Sequence, residues 1–285
     1  MSAKTCPVCD KALLPGIRKW HYKCPECFYE NGDLPPAINN ENSHNLIDEK
    51  ARETGLRELR LRNFKRLILV LSKLKSDGGS LLEVGCAHGW FLEVAQAKFN
   101  VLGIEPDKTI LESIASKALP VRNGYFPGSL EESEKFDIII FNDVFEHISI
   151  IQKTLEECHK RLNDGGLLVL NLPSSDGVFY KLSRFFAYFG KFEFFERLWQ
   201  EGLPSPHVHY FNSRNLVSIL KKTNFTSIAN GTLPTLSLAG LYTRISYTGK
   251  FGALSKVFIY CTIAVALPIL RLLPSDIIYV IAKKT

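Results

Sequence analysis

The stretch at positions 81–92 constrains the fold of this chain more than any other. An apolar run ends in Glu83 and Val84, a turn contains Gly85 and Gly89, and an apolar stretch of good helix formers follows. This order predicts a β-strand, a tight turn and the start of an α-helix. Glycine allows positive φ and close approach of a ligand to the main chain, and the first N–H groups of a helix are unpaired. The stretch therefore predicts a ligand-binding turn.

A carboxylate about twenty residues downstream indicates the class of ligand. The apolar run 101–104 is followed by Glu105, at the distance where nucleotide-binding α/β units place the acid that bonds ribose hydroxyls. A dinucleotide fingerprint counted from Gly85 requires a small residue at position 90, because its third glycine lets helix and strand pack closely. Position 90 is Trp90, which argues against a nicotinamide-dependent dehydrogenase.

The spacing Glu83-x-Gly85-x-x-x-Gly89 resembles the first motif of class I S-adenosylmethionine-dependent methyltransferases. The resemblance implies an α/β, Rossmann-like, doubly wound seven-stranded sheet with S-adenosylmethionine as cofactor. The cofactor-binding residues that it implies are Glu83, Gly85, Cys86, Ala87 and Gly89 at the methionine end, Glu105 at the ribose, and Asn142 as a further contact. Family members usually have glycine where Ala87 stands, so we expect weaker or shifted contact there.

Four cysteines near the N-terminus form two pairs, Cys6-Pro-Val-Cys9 and Cys24-Pro-Glu-Cys27, separated by fourteen residues. This spacing is typical of a tetrahedral Zn²⁺ site with four thiolates, a structural rather than catalytic arrangement. Two disulfides or unrelated thiols are the alternatives. About forty residues bury little core, so the metal would hold them folded. We expect a zinc-ribbon-like module and linker at 1–45, similar to modules that precede many sugar- and natural-product-tailoring methyltransferases, and a methyltransferase domain at 46–285.

Strand and helix patterns alternate after the glycine turn. Strands are predicted at 101–105, 119–122, 136–142, 166–172, 226–232 and 276–283, with helices at 89–98, 107–118 and 150–162. Such alternation predicts a parallel sheet covered by helices on both faces, with ligands at the carboxyl ends of the strands.

The strand at 136–142 leads into Asn142-Asp-Val-Phe-Glu-His147. This segment resembles the fourth methyltransferase motif with the Glu-His pair of many small-molecule members. Enzymes that methylate exocyclic amino groups of bases usually carry Asn-Pro-Pro-Tyr here, so base N-methylation is disfavoured. We expect His147 to be a catalytic residue that handles a proton. The alternative is that Glu146 and His147 cap the next helix and bond internally.

A second histidine candidate lies in Pro206-His-Val-His-Tyr-Phe211. Similar sequences in related methyltransferases lie close to the transferred methyl group. His207 and His209 alternate as on an extended segment, so we expect only one to face the cleft. We favour His207 as a general base or substrate hydrogen-bonding group. A metal site is disfavoured because no third ligand accompanies the two histidines in the sequence.

Two insertions interrupt the α/β pattern. The first lies at 174–206, where ten of the 21 residues at 179–199 are aromatic. This composition predicts either a substrate lid or a helical hairpin with inward-facing rings.

The second insertion, at 237–273, contains the apolar run 257–270. This run has fourteen residues, which is too short to cross a bilayer. We expect this helix to bury one face on the lid. The alternative is an interfacial membrane anchor.

Composition limits the partners and the cellular location that can be expected. The chain has 285 residues, 46% hydrophobic content and a formal charge of +6, so nucleic acid or an anionic membrane is permitted as a partner but not required. The N-terminus shows no apolar signal-peptide core, and the paired cysteines indicate a reducing, cytoplasmic location, with peripheral membrane contact through the lid and the apolar helix as an option.

We therefore predict an S-adenosylmethionine-dependent methyltransferase acting on a small-molecule, sugar or lipid-linked acceptor. One alternative is an RNA methyltransferase that uses the zinc module and the basic helix 46–74, although nucleic acid is disfavoured. The other is a non-catalytic, methyltransferase-like binding protein.

Overall fold

The computed structural model describes residues 4–35, 49–247 and 252–285. Most of the predicted linker, its boundary at 45/46 and the predicted start of the basic helix at 46 lie outside the described residues.

Eleven strands and nine α-helices follow one another within the described residues. The strands are β1 Leu14–Pro15, β2 His21–Lys23, β3 Glu30–Gly32, β4 Ser80–Val84, β5 Asn100–Glu105, β6 Val121–Asn123, β7 Phe136–Asn142, β8 Leu162–Pro173, β9 His209–Tyr210, β10 Phe225–Leu233 and β11 Ile277–Lys284. The helices are α1 Glu49–Leu74, α2 Trp90–Ala95, α3 Lys108–Ile114, α4 Ile151–Arg161, α5 Val178–Tyr188, α6 Glu193–Leu198, α7 Ser213–Lys222, α8 Leu241–Tyr247 and α9 Ala253–Leu270.

Seven strands form the central sheet in the order β10-β11-β8-β7-β4-β5-β6. The predicted α/β, Rossmann-like seven-stranded sheet is confirmed. The expected all-parallel arrangement is wrong in one strand, because β11 runs antiparallel to both β8 and β10. The insertion that contains α8 and α9 leaves and re-enters the sheet at the same edge, which forces this reversal. Strand order changes direction between β4 and β7, and the carboxyl edge at such a point is where open α/β sheets bind ligands.

The N-terminal module shares a sheet with the rest of the chain. Strands β1, β2 and β3 form a meander whose fourth strand is β9, with Glu30 opposite Tyr210 and Asn31 opposite His209. The rings of Tyr29 and Phe211 pack 5.2 Å apart behind this junction. The segment that carries His207 and His209 is therefore held between the module and the central sheet.

The aromatic insertion after β8 divides its rings between two environments. Tyr180, Phe195 and Trp199 are buried in a cluster with Tyr210, as an inward-packed hairpin requires. A second set of side chains is exposed, namely Phe185, Tyr188, Phe189 and Phe194. The inward-packed hairpin describes the buried set, and the substrate lid stays a prediction.

Helix α9 departs from the sequence prediction. It has 18 residues with a mean hydropathy of 2.0, so it is long and apolar enough to cross a membrane by length and composition, and 6% of it is buried. The expectation of a helix too short to span a bilayer is wrong, because the helix starts four residues before the apolar run. The expectation that one face is buried on the lid is also wrong: within α9, all of whose residues are described, Leu267 alone is buried.

Candidate functional site

The turn after β4 has the backbone conformation that its glycines predict. Gly85 and Gly89 have φ angles of 72° and 71°, in the left-handed region that glycine adopts without strain. The N–H groups of Gly85 and Cys86 donate to the carbonyl of Ile104 at 2.8 and 3.0 Å, which ties the turn to β5. A Cβ on Gly85 would lie 2.6 Å from Val144 Cγ2. Glycine is therefore required at position 85 by the backbone and by the segment that follows β7.

Ala87 adopts a φ of 43° within this turn. A residue with a Cβ destabilises the folded state by about 1–2 kcal/mol when its backbone is left-handed. Glycine avoids this strain but destabilises the folded state by about 0.5–1 kcal/mol, because its unfolded chain has more conformational entropy to lose. We expect Ala87→Gly to raise the free energy of unfolding by about 0.5–1 kcal/mol in urea denaturation. The same substitution in the interior of α9, Ala264→Gly, should lower it by about 1 kcal/mol. Lower stability in Ala87→Gly would contradict the strain argument.

Glu105 ends β5 and points into the turn. Its Oε2 accepts the N–H of Ala87 at 2.8 Å, and its Oε1 accepts the N–H of Asp107 at 2.9 Å. Burial raises the pKa of Glu105, and the two backbone hydrogen bonds oppose that rise. Each carboxylate oxygen keeps a second lone pair. The side chain can therefore accept hydrogen bonds from ribose hydroxyls while it holds the turn.

Glu83 and Asn142 lie side by side on β4 and β7. Asn142 Nδ2 donates to Glu83 Oε1 at 2.9 Å, and Asn171 Nδ2 on β8 donates to Asn142 Oδ1 at 3.1 Å. Glu83 is 2% exposed, and its Oε2 accepts no hydrogen bond from the described residues. Burial raises the pKa of Glu83 to about 8, and the charge of Glu105 adds to the shift. A buried carboxylate oxygen without a donor fits a cationic ligand group.

The Cys86 side chain faces away from the turn. It packs with Leu92 in the core, and its Sγ lies 2.7 Å from the position that a Cβ on Gly103 would take. Burial raises the pKa of this thiol. Cys86 therefore offers a cofactor its main chain rather than its sulfur.

Sequence reasoning missed Arg60 as a site residue. Its Nη1 donates to Asp143 Oδ2 at 2.6 Å, and Asp143 follows Asn142 with a φ of 53°. The charge of Arg60 opposes the burial-driven rise in the pKa of both Glu83 and Glu146. In the sequence, Arg60 stood out only as one of the basic residues of the helix now labelled α1.

A second polar cluster at the same edge contains both predicted catalytic histidines. Glu146 Oε1 lies 3.9 Å from His147 Nε2 and 4.0 Å from His207 Nε2, and the two imidazole rings are 4.8 Å apart. Glu146 is 1% exposed, and its carboxylate oxygens accept no hydrogen bond from the part of the chain that the structure describes. Burial raises the pKa of Glu146 well above its usual value, with a further contribution from Asp143.

The alternation of His207 and His209 is confirmed. His207 faces His147, whereas His209 hydrogen-bonds to the Tyr29 hydroxyl through Nδ1 and to the Ile148 carbonyl through Nε2. Burial lowers the pKa of His209 to about 4. His209 takes no part in the group that His207 joins. Glu146, His147 and His207 offer ligand atoms within 4.8 Å of one another, because the turn after β7 meets the segment before β9.

The four N-terminal cysteines converge as the zinc hypothesis requires. The distances between sulfurs of the two pairs are 3.5 Å for Cys6 and Cys27, 3.4 Å for Cys9 and Cys24, and 3.7 Å for Cys9 and Cys27. Four sulfurs about 2.3 Å from one Zn²⁺ at tetrahedral angles would lie roughly 3.8 Å apart, whereas a disulfide bond is about 2.05 Å long. The geometry fits a tetrathiolate site.

Glu30 connects helix α5 of the aromatic insertion to the N-terminal module. Its Oε2 is 2.7 Å from His21 Nε2 and accepts the Tyr180 hydroxyl at 2.5 Å, and its Oε1 is 3.2 Å from Arg184 Nη1. Tyr180 and Arg184 belong to α5, and Glu30 is 1% exposed. Sequence reasoning missed this cluster because its members are about 150 residues apart.

Comparison with known proteins agrees with this geometry. The chain is 27% identical over 129 residues to a ubiquinone biosynthesis O-methyltransferase of Bradyrhizobium, which covers 42% of this chain and 49% of that protein. It is 26% identical over 114 residues to malonyl-(acyl-carrier protein) O-methyltransferase 1 of Coxiella burnetii, with 39% of each chain covered. The chain thus matches half or less of the length of these relatives.

Two solved structures share the fold. A S-adenosylmethionine-dependent methyltransferase of Thermotoga maritima has a TM-score of 0.55 at 14% identity, covering 85% of this chain and 97% of that chain. The Burkholderia thailandensis 1,6-didemethyltoxoflavin-N1-methyltransferase was solved with 1,6-didemethyltoxoflavin and S-adenosylhomocysteine. It has a TM-score of 0.52 at 13% identity, covering 92% of this chain and 97% of that chain.

Residues 56–230 match the family model described as a methyltransferase domain. Because this match spans more than half of the chain and includes both polar clusters, the chain belongs to the methyltransferase-domain family.

Proposed function

We propose that this protein transfers a methyl group from S-adenosylmethionine to a small-molecule acceptor. The observation that carries the proposal is the pair of buried carboxylates at the turn after β4. Glu83 has an oxygen without a donor among the described residues, and Glu105 points into the turn with lone pairs available. A ligand with an ammonium group at one end and vicinal hydroxyls at the other matches this pair, and the relatives named above are methyltransferases.

In the proposed complex the chain's own residues hold both ends of the cofactor. Glu83 meets the ammonium of the methionine end, with Asn142 beside it. The backbone of Gly85, Cys86, Ala87 and Gly89 would hold that end, and Glu105 would bind the ribose. When bound, S-adenosylmethionine supplies an electrophilic methyl group on a sulfonium centre. The protein's contribution is to position the acceptor in line, to exclude water and to take up a proton.

His147 and His207 are the proposed proton-handling residues. Imidazole has an ordinary pKa near neutral, as a general base requires. Glu146 lies within 4.0 Å of an Nε2 atom of each ring, and we assign it a positioning role because it is almost completely buried. The arrangement suits an acceptor hydroxyl or amine that loses its proton as the methyl group is transferred.

The acceptor is proposed to be small, with a sugar or a lipid-linked compound as the classes that an aromatic lid suits. The RNA alternative is less well supported. Several cations of α1 form ion pairs within the chain, namely Arg57 with Glu93, Arg60 with Asp143, and Arg62 with Glu58. Salt-sensitive RNA binding by the purified protein would favour that alternative.

The cysteine cluster is proposed to hold a structural Zn²⁺. Four thiolates would close its coordination sphere, and the sulfur distances fit one ion. Thiolate ligation also supports the proposed reducing, cytoplasmic location.

Binding of S-adenosylhomocysteine tests the proposed function directly. We expect isothermal titration calorimetry to detect binding to the native protein, and Glu105→Ala to weaken it roughly 10- to 100-fold, because hydrogen bonds to a charged group contribute about 1.5–3 kcal/mol. Glu112→Ala removes an exposed carboxyl group from α3 and should leave the affinity unchanged. Circular dichroism checks that each variant is folded. Absence of binding to the native protein would overturn the proposal.

A further inference from the structure

Helix α9 consists mainly of apolar residues, and many of their side chains are exposed. Its exposed side chains include Leu254 at 88%, Phe258 at 73%, Val265 at 79% and Ile269 at 67%. A core helix of a soluble protein would be mostly buried, and a signal sequence would lie near the N-terminus, so neither accounts for α9. A surface helix normally turns a polar face to water and an apolar stripe to the core. The exposed side of α9 is instead apolar, which requires an apolar surrounding.

The helix that carries the exposed aromatics of the 174–206 insertion starts beside the segment that follows α9. Helix α5 begins where the chain leaves α9: the N–H of Val178 donates to the Pro274 carbonyl at 3.0 Å, and the N–H of Tyr180 donates to Asp276 Oδ1 at 2.8 Å. From this junction α5 leads to the exposed rings of Phe185, Tyr188 and Phe189. We call α9 together with the exposed aromatic side chains of α5 and α6 the apolar rim.

Cations lie among these apolar side chains. The insertion at 237–273 that contains α9 has four cations, Arg244, Lys250, Lys256 and Arg271, and no acidic residue. In the insertion at 174–206 four cations balance four acids, and Lys181 pairs with Asp176. Lys181 and Arg184 also line a groove of about 530 Å³ with Phe185 and Tyr188. Lysine and arginine beside exposed tyrosine and phenylalanine are the composition that binds the headgroup region of an anionic bilayer. This charge complementarity favours lipid over an uncharged apolar protein surface.

The connections of α9 indicate that it lies along a membrane and does not cross it. Its 18 residues span about 27 Å, close to the roughly 30 Å of a hydrocarbon core. Six residues connect α9 to β11, which pairs with both β8 and β10. Before α9, helix α8 packs against both α1 and α9, and the rings of Tyr242 and Tyr260 are 6.3 Å apart. Both flanks of α9 are thus attached to the same folded body.

We propose that the apolar rim docks the protein on an anionic lipid bilayer. Both insertions emerge from the carboxyl edge of the sheet, where Pro173 of β8 pairs with Ile277 of β11. The cofactor turn and the cluster of Glu146, His147 and His207 lie at this same edge. Docking therefore turns the site toward the lipid, and on the proposed function an amphiphilic acceptor in the bilayer has the shortest route to it.

Vesicle flotation with the full chain tests the docking. We expect the native protein to float with vesicles of phosphatidylcholine and phosphatidylglycerol, and less with phosphatidylcholine alone. The double variant Phe258→Asp, Val265→Asp should partition at least roughly 100-fold more weakly, because each exposed apolar side chain contributes about tenfold. Leu69→Asp makes the same type of change at a position that is 65% exposed, near the end of α1 that leads to the amino end of β4, and should float like the native protein.

Three further readouts decide the interpretation. Cys261 is exposed on α9, and an environment-sensitive dye attached there should shift to the blue when vesicles are added. Binding of S-adenosylhomocysteine should be unchanged in the double variant, so loss of docking and failure of the proposed function are distinguishable. A native protein that stays at the bottom of the gradient would overturn the proposal. So would a vesicle-independent dimer that the double variant dissociates, because a second copy would then cover α9.

Discussion

Removal of the proposed Zn²⁺, or the substitution Cys24→Ser, is expected to unfold the N-terminal module and to cause a larger loss of stability than any substitution named above. The module has short strands and few buried side chains of its own. Structural zinc sites contribute on the order of 10 kcal/mol to the folding of such modules. Loss of one thiolate leaves three ligands, so most of that free energy is lost. Thermal unfolding followed by circular dichroism measures the change.

The effect should spread from the module to the site. Strand β3 pairs with β9, and Tyr29 hydrogen-bonds to His209, so unfolding of the module releases the segment that carries His207. Hydrogen exchange should therefore show faster exchange at 205–211 as well as at 4–33. Cys261→Ser, at an exposed cysteine on α9, is the matched control and should change neither measurement. A Cys24→Ser protein with native exchange at 205–211 would contradict the coupling.

Glu83→Gln is expected to stabilise the ligand-free protein at pH 8 and to have little effect near pH 4.5. Folding raises the pKa of Glu83 from 4.5 to about 8, chiefly through burial, so the folded state binds this proton more tightly than the unfolded chain does. The resulting stabilisation is complete below pH 4.5 and is lost as the pH rises to about 8. Each pKa unit corresponds to about 1.4 kcal/mol, which predicts a difference of several kcal/mol across this range.

Urea denaturation at pH 5 and pH 8 measures this difference. Glutamine keeps an oxygen that can accept the hydrogen bond from Asn142, so the variant tests the charge and not the packing. Glu112→Gln, at an exposed position on α3, should retain the pH dependence of the native protein. An identical slope of stability against pH in the native protein and in Glu83→Gln would show that the Glu83 carboxyl group titrates normally in the folded state.

The glycine turn after β4 was predictable because its determinants are local. Glu83, Gly85, Gly89 and Glu105 lie within 23 consecutive positions, and glycine conformation and strand ends fix where each side chain can point. The cysteine pairs are local in the same sense, since each Cys-x-x-Cys turn aims two sulfurs at one point. Strand β7 was likewise predictable, from the continuous apolar run at 138–141.

Other parts of the site depend on contacts between distant positions. Glu146 meets His207, Arg60 meets Asp143, and Glu30 holds Tyr180, across 61, 83 and 150 positions. No periodicity or spacing encodes such pairs, because they form only after the sheet brings separate connections to one edge. The exposure of α9 has the same origin: its composition fits a buried helix or a membrane-bound helix equally well, and only the packing around it distinguishes them.

The amino-acid sequence by itself thus determined the fold class, the glycine turn after β4 and the cysteine cluster, since short-range backbone preferences and residue spacing are sufficient for each. The tertiary structure alone decided which histidine faces Glu146, how the N-terminal module supports that segment, and that α9 remains uncovered. These depend on how elements far apart in the chain pack together, and the free energy of that packing is a property of the whole assembled core and not of any one segment.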